Sequence, residues 1–233
     1  MGTIDLKNKE ELFVLIGADS FFYGASSSGA AGITSASLGD LKHFLSTHQN
    51  QTIKLWGDFP ESFLVAKEYW DYYRSLNENP EVYFYHHTDL ALQSALLAVP
   101  VPLAIHQLVS RQYPNLRWNF LGARLMEMAF YLGGAATFFS VFLWGNRFCL
   151  VFGKGGAIQL YNWISIQGVE DVVYYLALAL QSFQLKGTDV QLYINGYGIS
   201  DFSILKRYFP QIVLKIDKDE TTWLWRILQW HKN

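Results

Sequence analysis

Leu12 to Leu38 reads LFVLIGADSFFYGASSSGAAGITSASL, and Phe138 to Ile164 reads FFSVFLWGNRFCLVFGKGGAIQLYNWI. In each stretch three apolar, β-prone runs are parted first by a short polar break, GADS or GN, and then by a glycine-rich one. Such breaks between β-prone runs mark hairpins, so each stretch predicts a three-stranded antiparallel meander. The two copies begin roughly half of the 233-residue chain apart, which is the mark of a duplication.

Working outward from the second copy, VEDVVYYLALALQSFQL (Val169 to Leu185) predicts a helix with Glu170 and Asp171 in its first turn, where the helix dipole favours acids. Val172, Val173, Leu176, Leu180 and Phe183 recur at helical spacing and predict a buried stripe, with a stop at Lys186-Gly187. VQLYIN then reads as a strand, Ser200 to Phe209 as a short helix, and QIVLKI after Pro210 as a strand. The resulting order is β-β-β-α-β-α-β. In the first half TIKLW, SFLVA, VYFYHH and LRWNFLG are strand candidates, while KEYWDYYRSLN, PLAIHQLVSRQY and ARLMEMAFYL are helix candidates. Meanders followed by crossover units predict an α/β protein whose sheets are mixed and flanked by helices. No linker interrupts the chain, and its halves are expected at 1–134 and 135–233.

Composition narrows the function classes. Hydrophobic residues make up 51% and aromatics 17%, whereas charged residues are 16%, against about 25% in ordinary domains. Such a chain buries much of itself. A net charge of −2 offers no cationic field for phosphates, so nucleic acid is not an expected partner. Cys149 lies inside the apolar run RFCLVF and reads as a small buried hydrophobe. Asp5, Lys7, Lys9, Glu10 and Glu11 leave no room for a secretory signal near the start, so a cytoplasmic location is expected. Two charge-poor stretches raise the question of a membrane span, but Pro100 and Pro102 interrupt Leu90 to Ser110, and Gly133-Gly134 divides Met128 to Asn146.

The duplicated β-β-β-α-β-α-β order resembles the actin-like superfamily of sugar kinases, chaperone ATPases, actin and pilus-assembly proteins. More narrowly, GNRFCLVFGKGGAIQLYNWISIQGVEDVVYYLALALQSF and LYINGYGISDFSILKRYFPQI, within Asn146 to Ile216, resemble an uncharacterised bacterial domain-of-unknown-function family. That family has a degenerate actin-like, ribonuclease-H-like fold, so the resemblance implies two related halves. In active superfamily members a turn between the first two strands of each half cradles phosphates and carries an acid that holds the metal.

Carried onto this chain, the first turn is Gly17-Ala18-Asp19-Ser20, and Asp19 is the candidate acid, although Asp is also an ordinary turn residue. The second turn is Trp144-Gly145-Asn146-Arg147 and has no carboxylate. The adenosine-contact position falls on INGYGIS, where Gly196 and Gly198 would admit a ligand and Ser200 would cap a helix. Capping alone accounts for that pattern.

Other chemistries find less support. Gly153-Lys154-Gly155-Gly156 lacks P-loop spacing and reads as a hairpin turn. His86-His87 with Asp89 hints at metal, but neighbours on a strand point to opposite faces, and no metal site is expected. No GxSxG motif occurs, and the strands lack the convergent carboxylates of a nuclease. In TTWLWRILQWHKN, Trp223, Ile227 and Trp230 stand at i, i+4 and i+7 with Leu224 and Leu228 beside them. This amphipathic helix packs on its own domain or docks on a partner or membrane surface. The expectation is therefore a non-catalytic actin-like scaffold or partner-binding protein without a cofactor. The alternatives are a protein that keeps ATP affinity through Asp19, Gly196 and Gly198, or a peripheral component of a membrane-associated assembly.

Overall fold

A computed structural model describes residues 11–77, 82–90, 95–199 and 201–230. The first half opens with the expected meander, β1 (Glu11–Ile16), β2 (Ser20–Ala25) and β3 (Thr34–Ser37), followed by α1 (Leu41–Thr47) and β4 (Thr52–Gly57). Next come β5 (Phe63–Ala66), α2 (Trp70–Asn77), β6 (Tyr83–Asp89), β7 (Ala95–Pro102), α3 (Leu103–Gln112), β8 (Trp118–Phe120) and α4 (Leu121–Gly133). The second half comprises β9 (Phe138–Trp144), β10 (Arg147–Lys154), β11 (Ala157–Ser165), α5 (Val169–Ser182), β12 (Gln191–Tyr197), α6 (Ser203–Tyr208), β13 (Ile212–Ile216) and α7 (Glu220–Leu228).

The duplication is visible in the strand order. One sheet runs β3-β2-β1-β4-β8 and the other β11-β10-β9-β12-β13, the same path through equivalent elements. In both, the meander is antiparallel and the last two strands add in parallel. Within the first half, β5, β6 and β7 form a separate antiparallel sheet ordered β5-β7-β6. Its central strand was not expected, because Pro100 and Pro102 argue against a strand interior. Register resolves the conflict. Leu103 N donates to Val82 O, just before β6, so the alternate residues Pro100 and Pro102 turn their nitrogens to the opposite edge. There β5 has already ended, with Phe63 opposite Ala98.

The central strands of the second large sheet, β10, β9 and β12, are buried on both faces. Every residue of β9 is buried, and alternation sends Phe138, Phe142 and Trp144 into a core shared with the first half. Phe139, Val141 and Leu143 face a second core under α5 and α6. Helix α4 closes the first half in sequence yet packs against β9, β10 and β11 of the second, while α7 reaches the Ala30–Gly32 turn of the first. Thus each half lends a terminal helix to the other.

Two details correct the expected boundaries. Helix α5 ends at Ser182 rather than at Lys186-Gly187, because Gln184 takes a left-handed conformation (φ +54°) and Leu185 N closes onto Leu180 O at 2.9 Å. Helix α6 begins at Ser203, whose N–H donates to the Asp201 side chain; Ser200, the expected cap, lies outside the described residues. Met128 to Asn146 divides between α4 and β9, and no helix among the described residues is long and apolar enough to cross a membrane.

Candidate functional site

The two meanders bring their first turns to one end of the sheets, where a cavity of about 330 Å³ lies between the halves. The first half contributes Gly17, Asp19 and Ser20 from the β1–β2 turn and Asp58 and Pro60 from the segment after β4. From the second half come Trp144 and Arg147, which flank the β9–β10 turn, and Glu220, the first residue of α7.

Sequence reading did not single out the pair at its centre. Asp58 follows β4 directly and is 4% exposed. Its Oδ2 accepts from the Arg147 guanidinium, which crosses from the other half. Arg147 lies against two indoles that are tilted to each other, 4.4 Å from the Trp144 ring centre and 4.5 Å from that of Trp163. Burial pushes the Asp58 carboxyl up, while the charge and hydrogen bond of Arg147 pull it back. Oδ1 of Asp58 is buried with no hydrogen-bond partner. The available signal was two charged residues at the ends of otherwise apolar strands in a chain poor in charge, but nothing local paired them.

Further polar ties lie beside this pair, of which the Ser62–Tyr161 contact also crosses between the halves. Trp144 Nε1 donates to Glu220 Oε1 at 2.5 Å. Tyr161 OH lies 3.0 Å from Ser62 Oγ and accepts from Trp163 Nε1 at 2.9 Å. Burial carries the Tyr161 phenol and the Cys149 thiol well above their usual ranges, with the Asp58 charge acting in the same direction. Cys149 is wholly buried, as expected for a core residue in a strand.

The first turn is not arranged as a phosphate cradle. Gly17 N–H donates across the turn to Ser20 O at 2.9 Å, and the Asp19 carbonyl accepts from Leu38 N at 3.3 Å. Asp19 is exposed at the cavity rim. Among the lining side chains Asp19, Asp58 and Glu220 outnumber the one cation, Arg147, which is already engaged.

Gly196 and Gly198 lie apart from Asp19. A Cβ on Gly196 (φ +131°) would sit 2.1 Å from Leu143 O, and one on Gly198 (φ +104°) 3.0 Å from Gly145 O. Both positions need glycine because β12 runs against the backbone of the β9–β10 hairpin. Gly198 borders a different, smaller recess of about 150 Å³ with Gly145, Asn146 and Gly168. Gly155-Gly156 forms the tight turn between β10 and β11, as expected.

His86 and His87 do point to opposite faces. His86 Nε2 lies 3.1 Å from His106 Nδ1 on α3, and the His106 ring stacks on Phe84 at 3.8 Å, whereas His87 packs against Trp70. Burial, then the neighbouring His106 and His87, lowers His86 to about 4. Nothing is described of the Asp89 side chain, and among the described residues no three His, Cys, Asp or Glu side chains converge on a metal-sized point.

Most of the apolar stripe of α7 is taken up by the chain's own core. Trp223, Leu224, Ile227 and Leu228 are all buried, and Trp225 packs on Phe13 with ring centres 6.1 Å apart. Asp219 caps the helix by accepting from Thr222 N at 2.8 Å. Of the stripe read from the sequence, those four buried residues close the core between the halves, which favours packing on its own chain, while Trp230 is half-buried.

Two halves of matching topology around a shared cleft define an actin-like fold. Among solved structures, a protein of Bacteroides thetaiotaomicron VPI-5482 described as having an actin-like ATPase fold and unknown function is similar over 91% of this chain and 94% of its own. It has a TM-score of 0.69 and 14% identity. A chain of a PilM–PilN type IV pilus biogenesis complex is similar over 94% of this chain and 98% of its own, with a TM-score of 0.57 and 11% identity. Residues 55–212 match the family described as "Protein of unknown function (DUF3822)", and the chain belongs to that family. No curated protein matches the sequence.

Proposed function

We propose that the protein is a non-catalytic actin-like scaffold or partner-binding protein. The observation behind this reading is the Arg147–Asp58 pair. Where the resemblance places a phosphate-facing turn in the second half, the chain has no carboxylate and instead sends a guanidinium across the cleft to a buried acid. A triphosphate entering there would meet an excess of negative side chains and a turn whose Gly17 N–H is already bonded to its own hairpin. With the cleft bridged by its own ion pair and lined by acids, recognition of a partner rather than of a nucleotide is the use that these residues favour. The similar structure from a pilus biogenesis complex, itself an assembly of two proteins by its description, is in keeping with a partner-binding role.

The test is direct. Purified protein incubated with labelled ATP and Mg²⁺ is expected to show no turnover and no ATP-dependent rise in melting temperature. Specific turnover, or a thermal shift that disappears in Asp19→Ala, would replace this reading with that of a nucleotide-binding protein.

A further inference from the structure

We infer that the outer face of α5 is a self-association surface, on which a second copy of this chain packs its own α5 antiparallel. The inference goes beyond the proposed function and does not depend on it.

From Val172 to Leu185 no residue is charged. A helix that is apolar all round is ordinarily buried on every side, yet α5 is covered on one side only. Val172, Leu176 and Ala179 enter the core against the sheet. On the opposite side Tyr174 is 61% and Leu178 46% exposed, and Ala177 and Gln181 beside them are exposed as well. These four stand at i, i+3, i+4 and i+7, so they form one stripe along the helix. Charged residues ordinarily occupy such an outer stripe, and an uncharged one marks a contact surface.

Shape and charge together select a second copy as the occupant. Small Ala177 leaves a notch next to the Tyr174 ring, and turning one helix end for end sets Tyr174 of each copy over Ala177 of the other. The same register places Val173 opposite Leu178 and Glu170 opposite Gln181, so no like charges meet. A two-fold contact uses every exposed residue twice, which doubles the apolar area that this short stripe can bury. Charge fixes the direction. Glu170 and Asp171 occupy the first turn, and exposed Lys186 follows the last. Antiparallel packing carries each acidic end toward Lys186 of the other copy, whereas parallel packing would oppose acid to acid. Asp189, the acid nearest Lys186 in sequence, is engaged within its own turn, accepting from Lys186 N at 3.0 Å and from Thr188 Oγ1 at 3.3 Å. A lipid surface fits the stripe less well, because helices that lie on membranes carry Lys or Arg along their polar face and α5 has neither.

One helix from each copy makes a contact below the roughly 1,200 Å² total of standard interfaces, so the dimer is weak. The test is sedimentation equilibrium of the full-length protein from about 5 to about 500 µM. A monomer–dimer equilibrium with no larger species is expected, because a two-fold contact closes on itself. Leu178→Glu and Tyr174→Glu each strand a charge in the contact and should weaken association at least about tenfold. Their melting temperatures should stay close to the parent's, since both positions are exposed. Glu170→Lys should weaken association about threefold, and adding Lys186→Glu should restore it. If Leu178→Glu does not fold, Tyr174→Glu and the charge swap carry the decision. A protein that stays monomeric to about 500 µM, association unchanged in the glutamate variants, growth beyond dimers, or a swap that restores nothing would overturn the inference. So would flotation with phosphatidylglycerol vesicles that is lost in Leu178→Glu, which would assign the stripe to a membrane. The two readings fail separately: ATP turnover refutes the non-catalytic assignment and leaves this contact standing, whereas a monomer refutes this contact alone.

Discussion

Replacing Arg147 by alanine removes the ion-pair partner of Asp58 without touching the acid itself. Asp58 is 4% exposed and its second oxygen is already without a hydrogen bond, so its charge would be stranded in the core. Stranding one member of a buried pair costs about 3–5 kcal/mol, and loss of the two indole contacts adds about 1 kcal/mol. For a chain of this size a loss of about 4–6 kcal/mol lowers the melting temperature by roughly 8–24 °C. Equilibrium urea denaturation reads the effect as a lower midpoint with unchanged slope. The sign of its pH dependence follows from the raised Asp58 pKa, which should rise further once Arg147 is gone. The folded state then holds a proton that the unfolded chain releases near pH 4, so the deficit is smallest below about pH 4 and grows as pH rises through the folded pKa. Arg147→Met combined with Asp58→Leu should recover most of the loss, since apolar replacement of a buried pair is often neutral or better. A single variant within about 1 kcal/mol of the parent, or a double variant no more stable than the single one, would refute the assignment of this pair as a tie between the halves.

Acid should weaken the protein through His86, whose pKa is about 4 when folded and 6.5 as a model group. Between these values the unfolded chain binds the extra proton, so stability falls as pH drops through that window and levels off below it. Part of the ring meets solvent, which reduces the full shift to about 1–2 kcal/mol; urea midpoints at pH 7.5 and 4.5 should converge by that amount in His86→Gln. Gly196→Ala is expected to cost more than about 3 kcal/mol, because the added carbon meets the Leu143 backbone at a positive φ. Gly155→Ala, with open space around it, should lose only about 1 kcal/mol; comparable losses in denaturation would contradict the close approach of β12 to the β9–β10 hairpin.

Much of the architecture is legible in local pattern. The breaks at GADS and GN, repeated half a chain apart, announce the two meanders because hairpin turns demand particular residues at particular places. The helical spacing of Val172, Leu176 and Leu180 announces α5 for the same kind of reason. Element ends were harder to read. Gln184 rather than a glycine turns the chain after α5, and Pro100 and Pro102 conceal β7 because the shortness of β5, the strand beside it, is not written in β7 itself. The glycines of INGYGIS resemble a ligand-contact turn in sequence, yet their missing side chains make room for Leu143 and Gly145.

Sequence by itself therefore settled the duplicated α/β pattern, the burial of Cys149 and the missing carboxylate in the second turn. All three depend on residue type and short-range period. Only the tertiary structure decided that Arg147 and Asp58, 89 positions apart, share one ion pair. It likewise placed α4 and α7 each on the opposite half and sealed Trp223 of α7 in the core. The physical reason is that charge pairing and helix docking depend on which surfaces the crossovers bring face to face, and amphipathic spacing states that a face will be covered without saying by what.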